Sequence, residues 1–244
     1  MEEHSTCHCQ CRLSSQSHIS NHRHTNCCHH GFSGFTSAMK TMLILTGPQG
    51  SGNHMWSKIF ALHPEVQGWS ALLDQYWIGH DQEPFARYWQ DPEQLRYYHW
   101  AASNWYVTSI SVPYMLNGTA TVPDFRSFVH HLQLAGIIVK FAVIGRDQNI
   151  VQMQQTRVRG APTLATALAE FDQLAAPVFL SYELLQLYGQ KYLKNIQQQL
   201  AFPIALTDPR LEEILAEDTN SKYFQPVAHH PTDDLARYAS RKHT

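Results

Sequence analysis

The stretch from residue 42 to residue 62 constrains the fold of this chain more than any other. Met42–Thr46 is a short apolar run and is predicted to be a buried strand of a parallel sheet. A loop with three glycines, Gly47–His54, follows it, and Met55–Leu62 is predicted to be a helix that ends before a His-Pro pair. This order predicts an α/β fold, in which helices cover both faces of a central parallel sheet.

The loop has the composition of a phosphate-binding turn. Its glycines, Gly47, Gly50 and Gly52, let the backbone turn tightly and point several N–H groups inward. The helix that follows adds the partial positive charge of its N-terminus, so a phosphate group is the ligand that this turn suits best. An ordinary strand-to-helix turn with glycines present by chance is the alternative.

The two residues directly after Gly52 disfavour a conventional ATP or GTP hydrolase. In the pattern G-x-x-x-x-G-K-[ST], the Lys contacts the phosphates and the hydroxyl holds Mg²⁺. The spacing from Gly47 to Gly52 fits this pattern, but Asn53 and His54 replace the Lys and the hydroxyl. A P-loop protein of the nucleotide-kinase type without the usual Lys stays an alternative, and Mg²⁺-dependent ATP binding would mark it.

The loop also resembles the 5′-phosphosulfate loop of sulfotransferases that use 3′-phosphoadenosine 5′-phosphosulfate (PAPS), in particular the G-P-Q-K-[TS]-G-T-T form of heparan N-sulfotransferases. Four further segments resemble motifs of that family in the same order: Ile59–Val66 is similar to L-x-x-H-P-x-V, Phe141–Asp147 to a strand ending in R-D-P, Val178–Leu185 to the Y-E-D-L strand-to-helix junction, and Leu200–Ile204 to F-L-G-L-P. The resemblance spans residues 42–204.

The resemblance implies a P-loop three-layer sandwich that takes PAPS as a cosubstrate and needs no metal. The implied reaction transfers a sulfuryl group to a hydroxyl or amine of a small molecule or glycan. The residues that the resemblance assigns to the phosphosulfate are Gly47, Gln49, Gly50, Ser51, Gly52, Asn53 and His54. It assigns the 3′-phosphate to Arg146 and, where the family has a Ser eight residues later, to Gln154.

The position of Arg146 points to the same place without the family. Residues 137–144 form a nearly continuous apolar strand, and Arg146 lies just beyond its carboxyl end. Ligands of open parallel sheets bind at the carboxyl ends of the strands, so Arg146 and the glycine loop are expected to face one crevice. A surface salt bridge with Asp147 or another neighbour is the alternative for Arg146.

Two departures from the family pattern bear on activity. Gly50 stands where the family has a Lys or Arg that neutralises the leaving phosphate, and Ser111 stands where many members have a basic residue before a proline. Both changes remove a cation. A third interpretation therefore stays open, in which the chain is a nucleotide-binding module without catalysis.

If transfer occurs, other residues must supply the catalytic groups. His54 is the first candidate for the base, since an imidazole exchanges a proton near neutral pH. Lys58, one helical turn later, can reach back toward the phosphates, and Asp74 and His80 are candidate bases on the acceptor side. The alternatives are a helix cap or surface residue for His54 and a solvated helix lysine for Lys58.

The composition of the chain disfavours two classes of partner, nucleic acids and membranes. The chain has 18 Lys plus Arg against 20 Asp plus Glu, a formal net charge of -2, so it lacks the basic field that nucleic-acid binding needs. It contains no apolar run of about 18 residues, and its N-terminus is polar, so no membrane association and a cytoplasmic location are predicted.

Two domains of unlike composition are predicted. Residues 1–38 are a low-complexity tail of Ser, His, Cys, Gln, Asn and Thr that is predicted to be disordered, and residues 39–244 form the sulfotransferase-like domain. All five cysteines of the chain fall within residues 1–28. Two interpretations of the tail stay open, a metal-binding segment and an extension upstream of a start at Met39.

Eleven aromatic residues lie between Trp69 and Tyr106. They suit a platform for a sugar or planar acceptor, or the core of a helical insertion. Near the end of the chain, Asp218–Tyr223 resembles an N-x-K-Y segment of sulfotransferase-like domains, in which Lys222 would add charge to the nucleotide site.

Overall fold

The computed structural model describes residues 39–68 and 85–216. Outside these ranges lie several predictions from the sequence: the tail 1–38, the candidates Asp74 and His80, the aromatic residues Trp69, Tyr76 and Trp77, and Lys222 in the segment 218–223. Within the described part of the chain, no helix is long and apolar enough to cross a membrane.

Seven strands are described, and five of them form one parallel sheet. The strands are β1 (Thr41–Pro48), β2 (Val66–Gln67), β3 (Trp105–Val112), β4 (Tyr114–Leu116), β5 (Thr119–Thr121), β6 (Ile138–Gly145) and β7 (Val178–Ser181). The order in the sheet is β2-β3-β1-β6-β7, with every pair parallel, while β4 and β5 form a separate antiparallel hairpin. The predicted central parallel sheet is thus confirmed.

Helices cover both faces of this sheet. They are α1 (Asn53–Ala61), α2 (Ala86–Gln90), a 3-10 helix (Pro92–Tyr97), α3 (Phe125–Leu134), α4 (Gln148–Arg159), α5 (Leu164–Phe171), α6 (Tyr182–Leu200) and α7 (Pro209–Ala216). Residues of α1, α6 and α7 share one hydrophobic core, and residues of α2, the 3-10 helix, α3 and α5 share the other.

The central strand β1 explains why there are two cores. All eight of its residues are buried, because it has a sheet neighbour on each side and a helical layer on each face. Side chains alternate between the faces of a strand, so Leu43 and Leu45 join the first core while Met42 joins the second. The predicted α/β three-layer sandwich is confirmed.

Most of the described aromatic residues between 85 and 106 pack into the second core, whereas Trp105 packs against the first core and Tyr97 is exposed. Phe85 contacts Tyr98 and Trp100 with ring centroids 5.1 and 6.0 Å apart, and Trp100 meets Tyr106 edge-on at 4.9 Å. Tyr106 lies at the amino end of β3, opposite to the edge at which the glycine loop follows β1. This packing agrees with the core interpretation of these residues.

Candidate functional site

The glycine loop makes a tight turn at the carboxyl end of β1. The N–H of Ser51 donates a hydrogen bond to the carbonyl of Pro48 at 3.1 Å and closes the turn. Gly50 has φ 89° and Gly52 has φ 110°, both in the left-handed region that residues with a Cβ rarely adopt. The two later glycines are therefore required by the backbone path.

The glycine loop is followed directly by the N-terminus of α1. Gly52 is the N-cap residue, no side chain of the described residues caps this end, and the first turn contains no acidic residue. The first N–H groups of a helix lack partners within the helix, and the helix dipole makes this end partly positive. The first turn of α1 thus brings no acidic side chain to this helix end, which has the geometry of an anion site.

A short hydrogen-bonded chain joins the loop to the neighbouring strand. The buried Ser51 donates from Oγ to Oδ1 of Asn53 at 3.1 Å, and Nδ2 of Asn53 donates to Oγ of Ser111 at 3.1 Å. Ser111 ends up here because β1 and β3 pair Gly47 with Ser111. Two positions where related patterns have cations, Asn53 and Ser111, are thus joined in one neutral network.

Arg146 lies against the loop, at the carboxyl end of β6. Its Nη1 donates to the carbonyl oxygen of Gly50 at 2.9 Å, and its guanidinium carbon lies 4.6 Å from the ring centroid of Tyr182. Asp147 serves a different purpose, since its carboxylate accepts from the N–H groups of Asn149 and Ile150 and caps α4. The structure therefore brings Arg146 and the loop together, while its part in ligand binding stays a prediction.

Gln154 on α4 fills the space beside Gly50. A Cβ added to Gly50 would lie 2.4 Å from Oε1 of Gln154 and 2.7 Å from its Cδ, closer than real Cβ contacts. Any side chain at position 50, including the Lys of the family pattern, would have to displace Gln154 and adopt a positive φ. Gly50 and Gln154 thus fit each other as a pair.

Gln155 is a site residue that the sequence analysis missed. Its side chain is 1% exposed, its Nε2 donates to the carbonyl of Gln49 at 3.0 Å, and its Oε1 accepts from the N–H of Thr163 at 2.8 Å. It holds the loop to the segment between α4 and α5. The sequence contains a signal for this position, because Gln155 lies four residues after Val151. Residues at this spacing share one face of a helix, and Val151 is buried, so Gln155 also faces inward.

Gln49 is buried in the loop with its side-chain amide unpaired. The residue is 7% exposed, and neither Oε1 nor Nε2 has a hydrogen-bond partner among the residues that the structure describes. A buried amide without a partner costs about 1–3 kcal/mol. An unpaired amide in a candidate binding loop is a group that a ligand can satisfy.

The predicted catalytic residues are only partly placed. His54 lies in the first turn of α1 beside the loop, and Lys58 follows four residues later on the same helical face; both are half-buried. Asp74 lies outside the described residues. The structure therefore brings His54 to the edge of the loop and leaves the catalytic roles as predictions.

An open cleft of about 540 Å³ adjoins Arg146 on the side of β7 and α6. Its polar lining includes Asp147, Ser181, Glu183 and Tyr192. Glu183 accepts a hydrogen bond from the N–H of Asp147 at 2.7 Å. Burial raises the pKa of the Tyr192 hydroxyl, and a hydrogen bond from the N–H of Ser181 partly opposes this shift.

Replacing Gly50 with alanine is expected to lower the free energy of unfolding by about 1–2 kcal/mol, the cost of a left-handed residue with a Cβ. Displacement of Gln154 should add to this cost. Gly160→Ala is the matched control, because Gly160 has φ 79° and no atom within 4 Å of its added Cβ. Urea unfolding measures both variants, and a Gly50→Ala variant as stable as the wild type would contradict the geometry.

No protein-family model matches this chain, and neither does any curated protein. Among solved structures, the chain is similar to the crystal structure of mouse sulfotransferase SULT7A1 complexed with PAP, with a TM-score of 0.41 and 11% sequence identity. The match covers 72% of this chain and 62% of that one, so this chain spans about three fifths of the length of that protein. An identity this low does not indicate which ligand the loop binds here.

Proposed function

We propose that this chain binds PAPS between the glycine loop and Arg146 and transfers its sulfuryl group to an acceptor. One observation carries the proposal: the uncapped N-terminus of α1, reached through the glycine loop, lies beside an arginine whose Nη1 is 2.9 Å from the Gly50 carbonyl oxygen. Two anion-binding groups at one sheet edge suit a ligand that has two separate phosphate groups.

In this proposal, each binding group of the site contacts a different part of PAPS. The backbone N–H groups of Gln49, Gly50 and Gly52 and of the first turn of α1 contact the 5′-phosphosulfate, since Pro48 has no N–H group and that of Ser51 donates within the loop. Arg146 contacts the 3′-phosphate, for which a planar guanidinium offers two parallel donors. Gln154 adds an amide donor beside Gly50.

Transfer would be an in-line displacement at sulfur. The acceptor oxygen or nitrogen attacks the sulfur, the bond from sulfur to the bridging oxygen breaks, and adenosine 3′,5′-bisphosphate leaves. His54 takes the acceptor proton, Lys58 offsets negative charge one turn away, and Asp74 acts on the acceptor side. The acceptor is a hydroxyl or amine of a small molecule or glycan, the location is cytoplasmic, and no metal is needed.

A second candidate function is nucleotide binding without transfer. The observation that favours it is the packing of Gln154 against Gly50, which fills the space where the family has its loop cation. Ser111, at another position with a family cation, accepts a hydrogen bond from Asn53. In this candidate the loop and Arg146 keep their binding role, and the chemistry is lost.

The release of adenosine 3′,5′-bisphosphate from PAPS tests the proposal. The protein is incubated with PAPS and either 4-nitrophenol or a glucosamine oligosaccharide as acceptor. We expect acceptor-dependent release that EDTA does not reduce, and a rate that falls by about tenfold or more in His54→Asn because the base is lost. His63→Asn, a half-buried histidine beyond α1, is the matched control.

The outcomes separate the candidates. Binding of PAPS without release in the presence of either acceptor would favour the second candidate. Failure to bind PAPS would contradict the first candidate, and failure to bind PAPS, adenosine 3′,5′-bisphosphate and ATP would contradict both.

A further inference from the structure

We propose that Gln154 and Gln49 make the glycine loop select its ligand by charge. The loop prefers a terminal group with a single negative charge, such as a sulfuryl group, over a doubly charged terminal phosphoryl group. This inference rests on the proposed function, since it assumes that the 5′ end of a nucleotide lies in the loop.

The first observation is the amide that occupies the place of a side chain at position 50. Oε1 of Gln154 would lie 2.4 Å from a Cβ on Gly50, and Nε2 would lie 3.3 Å from it. Oε1 is buried without a hydrogen-bond partner among the described residues. This oxygen can only accept a hydrogen bond, so the group of Gln154 that can donate to an anion is Nε2, which has no formal charge.

The second observation is the amide of Gln49 in the loop itself. The residue is 7% exposed, and both of its amide heteroatoms lack partners in the parts of the chain that the structure describes. Its backbone cannot shift freely, because its carbonyl accepts from the buried Gln155. A ligand in the loop can thus regain the free energy that the unpaired amide costs.

The third observation concerns the charges of the groups near the loop and of the two terminal groups. The loop Gly47–Gly52 contains no Lys or Arg, and the charge of the neighbouring Arg146, whose Nη1 donates to the Gly50 carbonyl, is assigned to the 3′-phosphate in the proposed function. Neutral amides donate hydrogen bonds to an anion but leave its charge in place. The cost of removing an ion from water rises with its charge, and a terminal phosphate has about −1.5 to −2 at neutral pH, against a single charge on a sulfuryl group.

Two ligands of equal shape isolate this effect. PAPS and adenosine 3′-phosphate 5′-diphosphate differ in the terminal sulfur or phosphorus atom and in its charge. Calorimetric titration of the full chain is expected to give a dissociation constant for PAPS that is lower by about tenfold or more. Equal affinity for the two ligands would overturn the inference.

Variants at position 154 test whether this residue sets the preference. Gln154→Lys places a cation beside Gly50 and should reduce the preference for PAPS by about tenfold, since a nearby opposite charge helps the doubly charged ligand most. Gln154→Met keeps the length without the amide and should weaken PAPS binding by about fivefold to tenfold. An unchanged preference in the first variant, or unchanged PAPS affinity in the second, would overturn the role of Gln154.

Gln152→Lys is the matched control, because residue 152 lies on roughly the opposite face of α4 from residue 154. It should leave the preference as in the wild type. Circular dichroism confirms that each variant is folded, and if Gln154→Lys is not, Gln154→Met still decides the role of Gln154. A protein that binds no adenosine 3′,5′-bisphosphate would contradict the proposed function itself, whereas binding without any preference contradicts this inference alone.

Discussion

Replacing Trp56 with alanine is expected to lower the free energy of unfolding by about 3–5 kcal/mol, the usual cost of deleting a large buried aromatic side chain. Trp56 is fully buried in α1 and belongs to the first core. Its ring lies 6.3 Å from Phe60 in a stacked arrangement and 6.3 Å from Tyr192 of α6 in an edge contact. The loss of this side chain would leave a cavity between α1 and α6.

Urea unfolding followed by circular dichroism measures this effect. Lys58→Ala is the matched control in the same helix, and we expect it to change the free energy of unfolding by less than about 0.5 kcal/mol, because Lys58 is half-buried and outside the core. A cost below about 1 kcal/mol for Trp56→Ala would contradict the described packing. Since α1 bears the candidate anion site at its N-terminus, the variant should also weaken nucleotide binding.

Replacing Arg146 with alanine is expected to weaken the binding of adenosine 3′,5′-bisphosphate by about 10- to 100-fold, since hydrogen bonds to charged groups contribute about 1.5–3 kcal/mol. The guanidinium is already held in place by the Gly50 carbonyl and the Tyr182 ring, so it binds without further ordering. Isothermal titration calorimetry on the full chain measures the change.

Two further variants, a control for charge and a conservative substitution, are measured in the same way. Arg126→Ala removes the same charge from an exposed position on α3, and it should leave the affinity within about twofold of the wild type. Arg146→Lys should give an intermediate loss, because an ammonium keeps the charge without the planar pair of donors. A loss below threefold for Arg146→Ala would remove Arg146 from the binding site.

The central part of the fold could be predicted because its signals are local. The apolar run before Gly47 predicts β1, and the glycine spacing with the helix pattern that follows predicts the loop and α1. Both are present, although α1 begins two residues earlier than predicted, at Asn53. The location of Arg146 could be inferred because the carboxyl ends of parallel strands share one edge of a sheet.

Contacts between distant parts of the chain could not be predicted in the same way. The bridge from Gln155 to Gln49 and the packing of Gln154 on Gly50 depend on which face of α4 turns toward the loop. The hydrogen bond from Asn53 to Ser111 depends on the register of β1 with β3. The sequence analysis also missed the β4–β5 hairpin, although its Asn117-Gly118 turn, with positive φ at both residues, is a strong local signal.

The position of Gln154 in the structure allows a second role beside the one that the resemblance implies. The family pattern assigns its position to the 3′-phosphate, and the structure puts its amide against Gly50 in the loop. A site beside Gly50 is compatible with a contact to either end of the nucleotide. The two assignments differ in what they predict for variants of Gln154. If Gln154 contacts the 3′-phosphate, its replacement would change the affinity for all 3′-phosphorylated ligands equally.

The most direct test of the central claim is a calorimetric titration of the full chain with adenosine 3′,5′-bisphosphate, with ATP plus Mg²⁺ in parallel. The proposed site predicts a dissociation constant of about 1–10 μM for the bisphosphate and weaker binding of ATP, because Asn53 and His54 replace the residues that hold its phosphates and metal. Tighter binding of ATP with Mg²⁺ would favour a kinase-like protein. Absence of binding by either nucleotide would contradict the claim that the glycine loop and Arg146 form a nucleotide site.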